Sequence, residues 1–208
     1  MSDEVKHVWD VVLTIVTMSG AAIAFCFGLV QWRRGQAWQR AEKLDRFIEK
    51  FESDELLKLG AAILDWTDRR ISLRGGDLTV KNKEALLALR DHRTIKKQSA
   101  DTDTAVDDDG PMFPGEQAKL RDAYDALLSF FERLELSIST ELIDSDPARA
   151  YFSYWLERLV TFDRHRDDDG SILAGKTPAE MVAIYIKTYS DPHCIKRLCE
   201  RFGIKIEF

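Results

Sequence analysis

The chain contains one run without a formal charge that is long enough to cross a membrane. The run is Val11–Trp32, 22 residues in a protein in which 32% of residues are charged. As an α-helix it would extend about 33 Å, which matches the roughly 30 Å hydrocarbon core of a bilayer. We therefore predict a single transmembrane helix over residues 11–32, preceded by an extracytoplasmic tail over residues 1–10.

The charges that flank this run predict its orientation. The tail is acidic, with three carboxylates and one lysine, whereas four basic residues follow the run closely: Arg33, Arg34, Arg40 and Lys43. Because the more basic flank stays in the cytoplasm, we expect the N-terminus outside and the C-terminal part inside, in a bacterial inner membrane. The four basic side chains are predicted to contact anionic lipid headgroups.

A cleaved secretory signal is the alternative for an apolar N-terminal run. Ala22-Ile23-Ala24 resembles a small-residue cleavage site. A signal peptide, however, carries positive charge before its apolar stretch, and its core is shorter. The acidic tail and the two arginines that follow the run at once therefore favour an uncleaved anchor.

Charge is unevenly distributed behind the span. Arg33–Lys50 carries six basic and three acidic residues, and the remainder of the cytosolic part has a net charge of −7. Residues 33–52 are predicted to form a basic juxtamembrane helix and residues 53–208 a cytosolic helical domain. An acidic domain argues against nucleic acid as a partner. The three cysteines do not form a disulfide framework, and we expect them to be reduced.

Helical periodicity continues through the cytosolic part. Apolar residues at 44, 47, 48 and 51 predict that the membrane helix runs on, with Gly35 as its weak point. Ser53 is a candidate N-cap for a second helix that ends near Gly75, and Asn82–Gln98 is predicted as a third. The glycines of Ile71–Val80 allow a small hairpin instead.

The second half of the chain has clearer helix boundaries. Ser99–Gly115 is rich in Asp and is expected to be a mobile loop. A long helix is predicted over Glu116–Ser139, with one apolar side: Leu120, Tyr124, Leu127, Leu128, Phe131, Leu134 and Ile138. Three later helices are expected to start at Asp146-Pro147, Thr177-Pro178 and Asp191-Pro192, and Gly203 to end the last. The fold class is therefore all-α.

Part of this domain resembles a known family. Tyr124–Val160 contains the order Phe-Phe-Glu-Arg, Leu-Ile-Asp and Tyr-Phe-Ser-Tyr-Trp. It looks like the core of small bacterial single-span membrane proteins with a cytosolic all-helical domain of unknown function. The layout is more distantly similar to membrane accessory proteins of type VI CRISPR systems, which implies a HEPN-like bundle and assembly into pores.

The span itself has a stripe of small and polar residues. Steps of four and three along the helix connect most of its members, and Gly20, Ala24 and Gly28 have small-xxx-small spacing: Thr14, Thr17, Gly20, Ala21, Ala24, Gly28 and Gln31. Small residues let membrane helices approach closely. The stripe is therefore predicted to be a packing seam between copies of the chain, and the sharper interpretation is that it lines a pore.

One pair of residues allows an enzyme interpretation. Six residues separate Arg158 from His165, as in the Arg-x4-6-His pattern of HEPN ribonucleases, in which the arginine steadies phosphate charge and the histidine transfers protons. Leu159 stands where that pattern has a polar residue. A surface or structural role for the two residues is the alternative.

No other pattern predicts chemistry. The two Asp-Asp-Asp-Gly strings at 107–110 and 167–170 lack the ligands of a calcium loop. His193, Cys194 and Cys199 are too few for a zinc site, so neither a metal nor a cofactor is expected.

The sequence thus favours a non-enzymatic, membrane-anchored protein that self-associates and acts as an antiviral or stress effector by permeabilising or depolarising the inner membrane. The expected partners are membrane lipid, further copies of the chain and a cytosolic protein. A membrane-tethered HEPN-like ribonuclease that uses Arg158 and His165, and a passive membrane adaptor, are the alternatives.

Overall fold

The computed structural model describes residues 3–65, 69–73, 76–80, 82–90, 115–162 and 177–206. Seven helices and two strands lie in these ranges: α1 (Asp3–Ser53), α2 (Glu55–Asp65), β1 (Arg69–Leu73), β2 (Gly76–Val80), α3 (Asn82–Ala88), α4 (Gly115–Ser139), α5 (Ser145–Thr161), α6 (Pro178–Tyr189) and α7 (Pro192–Phe202). The all-α prediction is confirmed, with one antiparallel hairpin added. The contacts define two units, Met1–Lys43 and Leu44–Phe208.

The first helix is long and unbroken. It continues from the predicted span through Gly35 to Ser53, as the periodicity predicted. Its last turns belong to the second unit, in which Leu44 and Phe51 are buried and Phe47 and Ile48 pack against the core.

The second helix starts one residue later and ends earlier than the sequence predicted. The N-cap is Asp54 rather than Ser53, because Asp54 Oδ1 accepts hydrogen bonds from the backbone N–H groups of Leu56 and Leu57 at 2.9 and 3.2 Å. The helix ends at Asp65, well before Gly75. The hairpin takes over from Arg69, with Leu73 paired to Gly76, so the hairpin interpretation of this segment is confirmed.

The third helix is also shorter than predicted. It begins at Asn82 but ends at Ala88, and residues 91–98 of the predicted helix lie outside the described residues. The N–H groups of Leu89 and Arg90 bond three residues back rather than four, which closes the helix in a tight turn. Arg121 then donates to the carbonyl oxygens of Ala88 and Arg90 at 3.2 and 3.0 Å.

The long helix α4 is the centre of the second unit. It packs against α2, α3 and α7, while α5 packs against α2, α6 and α7. All seven residues of its predicted apolar side are buried. The predicted loop Ser99–Gly115 lies outside the described residues, apart from Gly115, which begins α4.

An aromatic cluster joins the end of α1 to the core. The ring centroids of Phe51, Phe130 and Phe152 lie 5.2 to 5.6 Å from one another. These three rings come from α1, α4 and α5, and such contacts add to the free energy gained by burying apolar area.

A buried carboxylate connects α4 to α7. Glu135 is 0% exposed, and its Oε1 accepts a hydrogen bond from Ser139 Oγ at 2.7 Å. Arg197 Nε lies 3.4 Å from Oε1, and Arg201 Nε lies 3.2 Å from Oε2. The two ion pairs of Glu135 fix α7 to the core. Because both arginines are partly exposed, their positive charges stay near solvent.

The helix caps of the C-terminal part agree with the sequence in two of three cases. Thr177 and Glu180 form a capping box, and Asp191 accepts from the backbone N–H of His193. Gly203 ends α7 with a positive φ of 74°. The N-cap of α5, however, is Asp144 and not Asp146, so Pro147 lies inside the first turn, where its missing N–H costs nothing.

Candidate membrane-spanning helix

The N-terminal helix is a candidate membrane span. Leu13–Ser53 is long and apolar enough, by length and composition, to cross a bilayer. The apolar part of α1 carries its charge-free run as continuous α-helix, so all its backbone groups can bond within the helix. A helix that satisfies its own backbone groups is one of the two structures that span lipid.

The large apolar side chains between Leu13 and Trp32 are exposed. Phe25 is 68% exposed, and Leu13, Val16 and Ile23 are similarly open. Each buried side chain of this size would gain about 1.5 to 3 kcal/mol, so their exposure to water would be costly. A lipid environment removes that cost.

The small-residue stripe is open along its length. All seven of its members are exposed. A Cβ atom built on Gly20 or Gly28 would meet no atom within 4 Å. The hydroxyl of Thr17 donates to the carbonyl oxygen of Leu13 on the same helix, which satisfies this polar group within the apolar segment. A second helix can therefore approach the stripe closely, and the hydroxyl of Thr17 keeps its hydrogen bond when it does.

A tryptophan lies at each end of the candidate span, and basic residues follow its C-terminal end. Arg33, Arg34 and Lys43 are exposed, and Arg40 is half-buried. Trp9 and Trp32 are 60% and 61% exposed, and about 35 Å of helix separates them at 1.5 Å per residue. Tryptophan is enriched at both membrane interfaces. The sequence interpretation used only the charges, although the positions of Trp9 and Trp32 at the two ends were a second signal for the same boundaries.

The candidate catalytic arginine has a structural contact. Arg158 lies on α5, and its guanidinium carbon is 5.5 Å from the centre of the Tyr154 ring. The hydroxyl of Tyr154 donates in turn to Asp65 Oδ1 at 2.5 Å, which links α5 to α2. Leu159, beside the arginine, is buried. His165 lies outside the described residues, and the pairing with Arg158 stays a prediction.

The described part of the chain holds no group of three His, Cys, Asp or Glu side chains placed to bind a metal ion. The two Asp-Asp-Asp-Gly strings lie outside the described residues. Cys194 and Cys199 are buried and unpaired. Burial raises the pKa of Cys199 to about 12, which keeps this thiol protonated and unreactive at neutral pH.

No protein-family model, no curated protein and no solved structure matches this chain. The function is therefore inferred from the chain's own residues.

Proposed function

We propose that the protein is a single-pass protein of a bacterial inner membrane that self-associates and, when its cytosolic domain is triggered, permeabilises or depolarises that membrane. The acidic tail lies outside and the helical domain lies in the cytosol. The four basic residues Arg33, Arg34, Arg40 and Lys43 support this orientation, because they follow the span on its cytosolic side and suit anionic headgroups.

The observation that carries the proposal is the open stripe of the span. Gly20, Ala24 and Gly28 are exposed, and the two glycines have space for another backbone. In lipid, helices associate through close packing rather than through a hydrophobic drive, and an exposed small-xxx-small face is the usual means. A second copy of the same helix can supply the complementary face.

A role in permeabilisation is supported by the polar members of the stripe. Thr14, Thr17 and Gln31 lie on the same stripe as the small residues, so a ring of helices would direct these side chains towards its centre. Water-filled passages through membranes are lined by groups that can bond to water and ions. The resemblance to pore-forming accessory proteins supports the further proposal of an antiviral or stress role.

In this proposal the cytosolic domain is a sensing and docking module rather than an enzyme. Its aromatic core and the ion pairs of Glu135 hold its helices together. We propose that a cytosolic protein or a change in this domain starts permeabilisation by copies that are already assembled.

Leakage from proteoliposomes tests the proposal. Even without the trigger, vesicles that contain anionic lipid and the purified full-length protein should show a basal leak of a small entrapped ion, because the assembled spans already carry the polar stripe. Thr17→Leu should reduce the leak while the oligomer persists, because it removes a hydroxyl and narrows the passage. Ile23→Leu is the matched control on another face and should leak like the wild type. Equal leakage from all three proteins and from vesicles without protein would contradict the proposal.

A further inference from the structure

A groove of about 370 Å³ lies between α2 and α5, beside the last residues of α1. Ala61 and Ala62 of α2 line it. Their methyl groups leave the space between the two helices unfilled, where larger side chains would close it. The groove lies wholly within the unit Leu44–Phe208.

Aromatic rings line part of this groove. Tyr151 and Trp155 come from consecutive turns of α5, and Phe51 comes from the end of α1. The ring centroids of Phe51 and Trp155 are 5.7 Å apart. Tyr151 and Trp155 are each only half-buried, so parts of both rings face the groove. The negative face of an aromatic ring attracts a cation, most strongly in Trp.

Two carboxylates line the same groove. Glu52 accepts a hydrogen bond from the hydroxyl of Tyr151, and Asp65 accepts one from Tyr154 at 2.5 Å. Among the described residues, neither carboxylate forms an ion pair. Burial and the bond to Glu52 raise the pKa of Tyr151 to about 12, so its hydroxyl remains a donor at neutral pH and holds the carboxylate in place.

Lys58 is the remaining charged residue along the groove. It is exposed, and among the described residues it forms no ion pair. Two carboxylates and one ammonium give the lining a formal charge of −1. That charge favours a cation over an anion.

We propose that this groove binds a small organic ammonium ion. Its charge lies near Glu52, which is bonded to Tyr151, and its alkyl groups lie against Tyr151 and Trp155, while Asp65 adds to the negative charge of the lining. A divalent metal ion is a poorer match, because Ca²⁺ takes six to eight oxygen ligands and the described residues bring together no metal-binding group. Apolar rings add nothing to a metal site but bury the alkyl groups of an ammonium ion.

Titration of the full-length protein with choline tests this proposal, in maltoside micelles that carry no ammonium group. We expect binding by calorimetry with a Kd of about 1 mM, because few groups of the groove contact so small a ligand. The neutral isostere 3,3-dimethylbutan-1-ol should bind about tenfold more weakly, because it has the same shape without the charge. Equal binding of the two compounds, or no binding of choline, would overturn the proposal.

Variants of residues that line the groove test whether choline binds there. Glu52→Gln should weaken choline binding about fivefold or more, whereas Glu49→Gln, the same change on an exposed position of α1, should leave it unchanged. Lys58→Gln removes the competing positive charge and should tighten binding about two- to threefold. This gain cannot come from misfolding. An unchanged affinity in Glu52→Gln, or a weaker one in Lys58→Gln, would contradict the assignment.

Discussion

Gly60 of α2 and Leu127 of α4 approach so closely that no side chain fits between them. A Cβ atom on Gly60 would lie 2.5 Å from Leu127 Cδ1 and 2.6 Å from Leu127 Cγ. The carbonyl oxygen of Ala123 would be 3.2 Å away. Leu127 is fully buried and cannot turn aside, so the glycine sets the distance between these two helices.

We therefore predict that Gly60→Ala destabilises the domain. Overpacking of about 2–3 kcal/mol exceeds the ~1 kcal/mol that alanine gains in a helix, which leaves a net loss of about 1–2 kcal/mol. The melting temperature of the full-length protein should fall by about 3–6 °C in circular dichroism. Gly35→Ala is the matched control, because a Cβ there meets nothing within 4 Å. A melting temperature that rises in both variants would contradict the close contact.

The buried thiol predicts resistance to alkylation. Because burial raises the pKa of Cys199 to about 12, iodoacetamide at pH 8.5 should modify it at least about a hundredfold more slowly than a cysteine placed at the exposed Lys119. The folded pKa exceeds the ordinary value of 9.0, so the associated stability is present below pH 9 and is lost as pH rises towards 12. Rapid alkylation of Cys199, read by peptide mass spectrometry, would show that the site is open.

The burial of the native cysteines determines which residues can report the orientation of the chain. Cys194 and Cys199 would escape labelling on either side of the membrane, because both are buried. Single cysteines introduced at Ser2 and at the exposed Lys119 are the suitable reporters. In intact cells, an impermeant maleimide should modify Ser2→Cys and spare Lys119→Cys. The reverse pattern would place the helical domain outside.

The ribonuclease alternative gives a negative prediction. Arg158 stacks on Tyr154, and removing it leaves the aromatic core in place. Arg158→Ala and His165→Ala should therefore permeabilise membranes as the wild type does, and the purified wild type should not cleave RNA. The wild type could instead cleave single-stranded RNA, and both variants could lose this cleavage with unchanged melting temperatures. That result would favour the ribonuclease over the membrane effector.

The sequence predicted those features that depend on local patterns. The 3.6-residue period located α4 and its buried side, and side-chain caps located Thr177 and Asp191. Features that depend on distant residues were missed. Glu135 lies in a helix where a carboxylate would ordinarily face water, and its burial requires Arg197 and Arg201, more than sixty residues further along the chain.

The same distinction explains the shortened helices and the candidate site. α2 ends at Asp65 because the following residues pair in a hairpin, which competes with helix over a segment of mixed propensity. The local sequence indicated only that Gly60 lowers helix propensity. Its contact with Leu127 joins two helices that are distant in the sequence, so no local pattern predicted it. The candidate span could be located from composition alone, because its length and apolar character are local properties of the chain.

The central claim is that the spans of several copies meet through the small-residue stripe, and the mass of the detergent-solubilised protein tests it most directly. Native mass spectrometry should find the wild type and Ile23→Leu as one defined oligomer. Gly28→Leu should shift the measured mass towards that of the monomer, because it places bulk where two backbones approach while making the span more apolar. A wild-type monomer, or a Gly28→Leu protein that keeps the wild-type mass, would contradict the account.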